Sequence, residues 1–188
     1  MPFHHYAWAT KWSVGRLLEP RFPMPNIPPS ALERGSLVHS ITEAIDTGSL
    51  VPGVPPELEG YVQAWKKFTY AMAPSWGVNG DSGVEYAFDN SEYGFHGIID
   101  RLGSCGAQGL KTILDIKTGR VPGPDNGPSR VSVQLALYAL GVYPRSATEI
   151  QRIAVACAKD GTYKVTRFTS PDDFIVAKEL IERKNGKL

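Results

Sequence analysis

The sequence predicts an α/β domain in which a central mixed β-sheet is flanked by helices. Two apolar runs, at residues 97–101 and 112–118, are bounded by turn residues, which is typical of buried strands. Segments with helical spacing precede these runs, follow them and end the chain, so helices and strands occur in the order of a layered α/β domain. With 188 residues, the chain is long enough for one domain with a sizeable core.

The first part of the chain is predicted to be an arm followed by two helices. Residues 1–29 mix aromatic side chains with prolines, which prevent regular helix. We expect this arm to pack on the surface of a domain that spans residues 30–188. Ser30 and Glu33 have the spacing of a capping box, which predicts a helix from Ser30 to about residue 47. A second helix is predicted over residues 56–72, where apolar side chains recur every three or four positions.

The remaining elements are three strands of a meander, a helix, two strands and a final helix. The strands of the meander are predicted near residues 83–89, 93–103 and 110–118. Residues 119–128 contain too many glycines and prolines for a regular element and are predicted to be a loop. The last elements are a helix over 129–140, strands near 150–158 and 162–169, and a helix that begins at Ser170.

Composition excludes several classes of protein. The net charge is +1, so any positive charge that binds nucleic acid must be local, at residues such as Arg120, Arg130, Lys164 and Arg167. Two cysteines are too few for a four-cysteine iron–sulfur cluster or a disulfide framework, and we expect no such cluster and a reducing, cytoplasmic location. No apolar stretch approaches the length of a membrane span, so we expect no membrane partner.

Charged residues inside the two apolar runs are the most informative feature of the chain. Asp100 lies in the first run, and Asp115 and Lys117 lie in the second, where they lose hydration and need partners. A hairpin that is symmetric about Ala107 and Gln108 places Asp100 directly opposite Asp115, with Cβ atoms about 5 Å apart. Lys117 shares that face of the sheet. Two acids and a lysine can hold a divalent metal ion and balance the charge of a phosphate, which is nuclease chemistry.

Glu85 and His39 each have an ordinary structural interpretation as well. A symmetric turn at residues 90–92 would place Glu85 opposite Ile98, diagonal to Asp100, although glutamate on a half-exposed strand is commonly just solvated. His39 lies among apolar residues of a predicted helix, where a core histidine bonded to the backbone is plausible. The two aspartates could likewise be a structural pair satisfied by Arg101, Lys117 or backbone donors, and Lys117 could be an ordinary lysine at a sheet edge.

Taken together, these residues resemble the motifs of the PD-(D/E)XK nuclease superfamily, and specifically those of its RecB-like exonuclease branch. The resemblance covers about residues 34–140 and includes five ordered segments: Arg34-Gly-Ser-Leu-Val-His39, Glu85, Gly97-Ile-Ile-Asp-Arg101, Asp115-Ile-Lys117-Thr-Gly119 and Gln134-Leu-Ala-Leu-Tyr138. Ile99 stands where the name of the superfamily has proline, as is usual in the RecB-like branch. The resemblance implies a restriction-endonuclease-like core.

The resemblance also implies a metal site. Asp100, Asp115, His39 and the backbone carbonyl of Ile116 would bind Mg²⁺ or Mn²⁺, because hard oxygen ligands favour these ions and imidazole suits Mn²⁺ better than Mg²⁺. Glu85 would have a direct or water-mediated role at the metal.

Other residues are expected to act on the substrate. Lys117 would hold the attacking water and offset charge that grows on the phosphate. Arg130, Gln134 and Tyr138 share one face of a predicted helix, which is usually the solvent side. The resemblance instead implies that Gln134 orients Lys117 or substrate and that Tyr138 meets a phosphate or a base. We expect Arg130, together with Arg120 in the loop, to flank the path of the nucleic acid backbone.

The sequence therefore predicts a metal-dependent deoxyribonuclease, acting as an exonuclease in DNA recombination, repair or replication. Two alternatives remain open at this point. One is a nucleic-acid-binding module that kept the nuclease fold, against which the intact Asp-x-Lys motif argues. The other is a nuclease subunit that is inactive without a partner such as a helicase or a recombinase. A single-strand-binding protein is a further expected partner.

Overall fold

The computed structural model describes residues 8–51 and 53–186, which form one mixed sheet with helices on both faces. The helices are α1 (Val14–Leu18), α2 (Pro29–Asp46), α3 (Glu59–Met72), α4 (Arg130–Val142) and α5 (Asp172–Lys184). The strands are β1 (Trp12–Ser13), β2 (Ser75–Val78), β3 (Asp81–Ser82), β4 (Val84–Asn90), β5 (Phe95–Cys105), β6 (Leu110–Lys117), β7 (Gln151–Cys157) and β8 (Tyr163–Arg167).

The sheet has the order β3-β2-β5-β6-β7-β8, and β1 and β4 also pair with β5. Strands β5 and β6 are antiparallel, whereas β6 and β7 are parallel. A parallel pair needs a crossover connection, and α4 provides it. This arrangement confirms the predicted mixed sheet flanked by helices.

Alternate residues of β6 point to two separate layers of core. Leu114 and Ile116 pack with α2 and α3, where Trp65 and Phe68 are fully buried. Ile113 faces the opposite layer, formed with α1, α4 and α5. Because Asp115 and Lys117 follow Ile113 at steps of two, they lie on the α4 face.

The N-terminal segment contributes to the sheet and to the core, whereas it was expected only to pack on the surface. Trp12 and Ser13 pair in parallel with Phe95 and His96 of β5. The three buried residues of α1 enter the same layer as α4 and α5; they are Val14, Leu17 and Leu18. Residues 1–7 of the expected arm lie outside the described residues, and the division of the chain at residue 30 stays a prediction.

Helix α2 begins differently from the prediction. Its N-cap is Pro28, whose side chain cannot accept a hydrogen bond, and Ser30 lies inside the first turn. The capping box of Ser30 and Glu33 is therefore wrong. Proline is well suited to the first helical position because its φ is already helical and no N–H is lost, so Pro29 starts the helix instead. No helix among the described residues has the length and apolarity needed to cross a membrane.

Candidate metal centre

The β5–β6 hairpin aligns two carboxylates. The β5–β6 pairs run from Cys105 opposite Leu110 to Arg101 opposite Leu114, which is the predicted symmetry about Ala107 and Gln108, and Asp100 and Asp115 are the next residues along the two strands. Asp100 Oδ2 accepts a hydrogen bond of 2.7 Å from the backbone N–H of Ile116. The hairpin thus fixes the orientation of the Asp100 carboxylate.

Glu85 faces Asp100 rather than Ile98. In the β4–β5 pair, Val84 lies opposite Arg101 and Tyr86 opposite Ile99, so the predicted partner of Glu85 is wrong by two residues. The turn is longer than predicted, because Gly94 N–H donates to the carbonyl of Asn90 at 2.7 Å. Glu85 itself has a φ of 48°, so its carboxylate comes close to Asp100 through a local irregularity of β4 rather than through regular strand alternation.

Three of the predicted residues converge on one point. The ligand atoms of His39, Glu85 and Asp100 lie within 4.8 Å of one another. His39 Nε2 donates to the carbonyl of Ile116 at 3.0 Å, so Nδ1 is the ring nitrogen that faces the cluster. Nδ1 is 3.5 Å from Asp100 Oδ2, in a contact that is an ion pair only when the ring is protonated. The same hydrogen bond occupies the Ile116 carbonyl.

Asp115 lies beside this cluster and is almost completely buried. Its Oδ1 accepts hydrogen bonds from Lys117 Nζ at 2.9 Å and from Gln134 Nε2 at 3.2 Å. Oδ2 is 2.7 Å from Lys117 Nζ in an ion-pair contact, yet none of the described residues donates a well-aligned hydrogen bond to it. A buried carboxylate oxygen without a donor is costly unless a cation satisfies it.

Helix α4 completes the wall of the site opposite His39. Gln134 Nε2 also donates to the hydroxyl of Tyr138 at 3.0 Å, so these two residues and Asp115 form one polar chain. Gln134 contacts Asp115, whereas the expectation was contact with Lys117 or substrate. Tyr138 packs edge-on against Phe88 and is buried, so this face of the helix is not a solvent side.

The electrostatics of the site follow from burial and crowded carboxylates. Burial, and then the neighbouring Asp100 carboxylate, raise the pKa of Glu85 to about 7. Burial disfavours the charged form of Lys117, but the Asp115 and Asp100 carboxylates outweigh it and raise the pKa of the ammonium group. Burial and the same two carboxylates raise the pKa of Tyr138, which therefore stays a neutral phenol.

A comparison with known families assigns the chain. The sequence profile of the PD-(D/E)XK nuclease superfamily matches residues 9–168, which include every candidate site residue. The chain belongs to the PD-(D/E)XK nuclease superfamily. A comparison with curated proteins gave no match. The mixed sheet between two layers of helices agrees with the restriction-endonuclease-like fold of the superfamily.

PD-(D/E)XK nucleases use divalent metal ions, and the residues of this chain fit one. The cluster offers two carboxylates and one imidazole nitrogen, which are donors that Mg²⁺ and Mn²⁺ accept. Negative charge is crowded at the site: burial and the Asp100 carboxylate raise the pKa of Glu85 to about 7, and Asp115 Oδ2 has an ion-pair contact with Lys117 but no hydrogen-bond donor among the described residues. A bound divalent cation would offset this crowding.

The two arginines expected to contact DNA occupy different surroundings. Arg130 donates to the carbonyl of Phe22 and to Glu19 Oε1, the latter at 3.1 Å, so its guanidinium is held by the N-terminal segment. Arg120 is exposed and lines a groove of about 390 Å³ together with Thr118, the residue that directly follows Lys117.

Sequence reasoning missed several residues around the site. Lys159 lines the same groove as Arg120 and was not singled out, because an isolated lysine in a turn carries no pattern. Arg101 was considered only as a partner of the two aspartates, and its buried ion pair of 2.6 Å with Asp46 behind the cluster was missed. Their signals were present: Arg101 is charged in a buried strand, and Asp46 ends α2, where a carboxylate is disfavoured by the helix dipole and so needs a specific partner.

Proposed function

We propose that this PD-(D/E)XK protein is a metal-dependent deoxyribonuclease of the RecB-like branch that hydrolyses DNA phosphodiester bonds from strand ends. The convergence of His39, Glu85 and Asp100 beside the Asp115–Lys117 pair carries the proposal. The five ordered motifs support the branch, and the branch supports exonuclease action.

His39, Glu85, Asp100 and Asp115 would hold the cation, and the Ile116 carbonyl would join them once His39 Nε2 releases it. A divalent ion supplies a Lewis acid that polarises a phosphate oxygen and makes a nearby water more acidic. Mg²⁺ and Mn²⁺ both suit this donor set.

Lys117 would act as a charged donor toward the attacking water and the phosphate. Its raised pKa keeps the ammonium group protonated at neutral pH, so it is suited to offset negative charge rather than to remove a proton. Asp115 holds Nζ in place, and Gln134 in turn fixes Asp115. Tyr138, a neutral phenol that accepts from Gln134, can donate its own hydrogen to a phosphate or a base.

The groove lined by Thr118 and Arg120 is the path we propose for the nucleic acid backbone. Its cationic side chains are Arg120, Lys159 and Lys164, and among the described residues none that lines it is acidic. Positive side chains along a concave surface position phosphates without reading sequence. Arg130 would join this path only by exchanging its bonds to Glu19 and Phe22 for a phosphate.

The RecB-like resemblance extends the proposal to DNA recombination, repair or replication inside the cell. A helicase, a recombinase or a single-strand-binding protein would be the partner in such a process. The near-neutral net charge fits a nuclease that depends on local rather than global attraction to DNA.

Cleavage of labelled DNA of different topology tests the proposal. Linear single- and double-stranded DNA should be degraded with Mg²⁺ or Mn²⁺ and not with EDTA, whereas a covalently closed single-stranded circle should survive. Equal rates on linear and circular DNA would show an endonuclease. DNA binding without cleavage under every condition would favour the non-catalytic module, and activity only after addition of a helicase would favour the dependent subunit.

A further inference from the structure

Arg101 is a completely buried guanidinium directly behind the candidate metal ligands. Its Nε donates to Asp46 Oδ2 at 2.6 Å, and its Nη2 donates to Thr42 Oγ1 at 3.2 Å. Its Nη1 donates to the backbone carbonyl of Asp100 at 2.6 Å and to Glu85 Oε1 at 3.4 Å. Every nitrogen of the guanidinium therefore has a partner.

These partners lie on the three elements that carry the ligand cluster. Thr42 and Asp46 follow His39 on α2, Glu85 lies on β4, and Asp100 lies on β5. Thr42 Oγ1 also donates to the His39 carbonyl at 2.9 Å, so the contact with α2 reaches the turn of the helix that carries the imidazole. A planar guanidinium with several donors in fixed directions can set the relative positions of three elements, which a flexible ammonium cannot.

Helix α3 holds the far end of this arrangement. Trp65 Nε1 donates to Asp46 Oδ1 at 3.2 Å, and the Arg101 guanidinium lies 5.3 Å from the centre of the Trp65 ring. Both carboxylate oxygens of Asp46 are thus engaged, one by Arg101 and one by Trp65. A buried ion pair that is fully hydrogen-bonded holds its geometry, and removal of one partner leaves an uncompensated charge.

We propose that Arg101 is a positioning residue that sets the distances among His39, Glu85 and Asp100 and thereby the affinity of this site for a divalent ion. Asp46 acts through Arg101, because the described contacts of Asp46 include no candidate ligand. The inference rests on the proposed metal-dependent function and adds to it the residues that build the site from behind.

Arg152 provides a matched control elsewhere in the fold. It is also buried, pairs with Asp173 at 2.8 Å, donates to the carbonyls of Ser132 and Ser170, and lies 4.4 Å from the ring of Phe174. It joins β7 to α4 and to the start of α5. Its described contacts do not include the candidate metal ligands.

Calorimetric titration of Mn²⁺ into the full chain and its Arg101→Lys and Arg152→Lys variants tests the inference, with thermal unfolding in EDTA as the measure of stability. Both variants should lose stability, because both exchange a guanidinium for an ammonium in a buried pair. Arg101→Lys should also raise the Kd for Mn²⁺ by about 10- to 100-fold, as loss of an outer partner of a metal ligand does. Arg152→Lys should keep the Kd of the wild type.

Asp46→Asn and Asp173→Asn form a second pair that preserves shape, for use if lysine prevents folding. Asp46→Asn should weaken Mn²⁺ binding and lower kcat more than it changes KM for DNA, whereas Asp173→Asn should do neither. If the two variants of either pair changed the Mn²⁺ affinity equally, the positioning role of Arg101 would be wrong and the proposed function would still stand. Failure of the wild-type protein to bind Mn²⁺ would overturn the proposed function and this inference with it.

Discussion

The carboxyl group of Glu85 keeps its proton up to near-neutral pH because it is buried beside another carboxylate. Its pKa is raised from 4.5 to about 7 in the folded protein. Between these values the folded state binds more protons than the unfolded state, so the free energy of unfolding falls as pH rises. This cost is present in full above about pH 7 and is absent below about pH 4.5.

We therefore predict that, in EDTA, the free energy of unfolding decreases from about pH 4.5 to pH 7 and that Glu85→Gln reduces this slope. Urea denaturation across this range measures it. Some slope should remain in the variant, since burial also raises the pKa values of Asp46 and Asp115. An identical slope in wild type and variant would show that Glu85 titrates normally.

His39 can be a metal ligand or a core histidine, and a substitution can separate the two roles. Its Nε2 bond to Ile116 would suit either role, and its Nδ1 lies 3.5 Å from Asp100 Oδ2, within the candidate ligand cluster. We predict that His39→Ala raises the Kd for Mn²⁺ at least about tenfold. His96→Ala is the control, because His96 bonds Thr10 and stacks on Trp8 instead. Calorimetry that finds unchanged Mn²⁺ affinity in His39→Ala would assign His39 to the core.

At the scale of elements, the loop after β6 and the β7–β8 hairpin together form the basic groove. We predict that Arg120→Gln with Lys164→Gln flattens the salt dependence of DNA binding, by roughly 0.7–0.9 in slope for each phosphate that is no longer neutralised. Fluorescence anisotropy in EDTA measures binding without cleavage. Lys178→Gln with Arg183→Gln on α5 removes the same charge from the opposite layer and should leave the slope unchanged. If the slope of the salt dependence fell equally in both double variants, DNA binding would depend on the net charge of the protein and not on this groove.

The elements show which parts of the site can be predicted from sequence. The β5–β6 register follows from residues 103–109, where Gly106 and Gly109 both take positive φ and fix a symmetric turn. The β4–β5 turn lies between Asn90 and Gly94, and these residue types alone do not predict where its centre is. The hydrogen bond from the Gly94 N–H to the Asn90 carbonyl sets that centre in the structure.

Contacts between distant elements could not be predicted in this way. The strands β2 and β3 are too short to be distinguished from loop, and β1 forms only by pairing with β5. The bond from His39 to the Ile116 carbonyl depends on how α2 lies on the sheet. The position of Arg101 depends on the same packing, because its partners are scattered between Thr42 and Asp100.

On the scale of the whole molecule, the cluster joins one helical layer to the sheet. Its candidate ligands come from α2, β4 and β5, and the neighbouring Asp115 comes from β6. A cation bound only by the folded state stabilises it by about 2.7 kcal/mol at a concentration of one hundred times Kd. We predict that Mn²⁺ raises Tm in the wild type and not in Asp100→Asn. Calorimetric melting with and without Mn²⁺ measures this, and an equal rise in both would place the bound ion elsewhere.

The most direct test of the metal centre is the rate of DNA cleavage as a function of Mn²⁺ concentration in wild type, Asp100→Asn and Asp115→Asn. Each variant keeps the size of the side chain and removes one carboxylate charge. The wild-type rate should saturate with Mn²⁺ and vanish in EDTA, and both variants should remain folded yet cleave at least about a hundredfold more slowly. Cleavage at the wild-type rate by either folded variant, or by the wild type in EDTA, would contradict the assignment of a catalytic metal to these carboxylates.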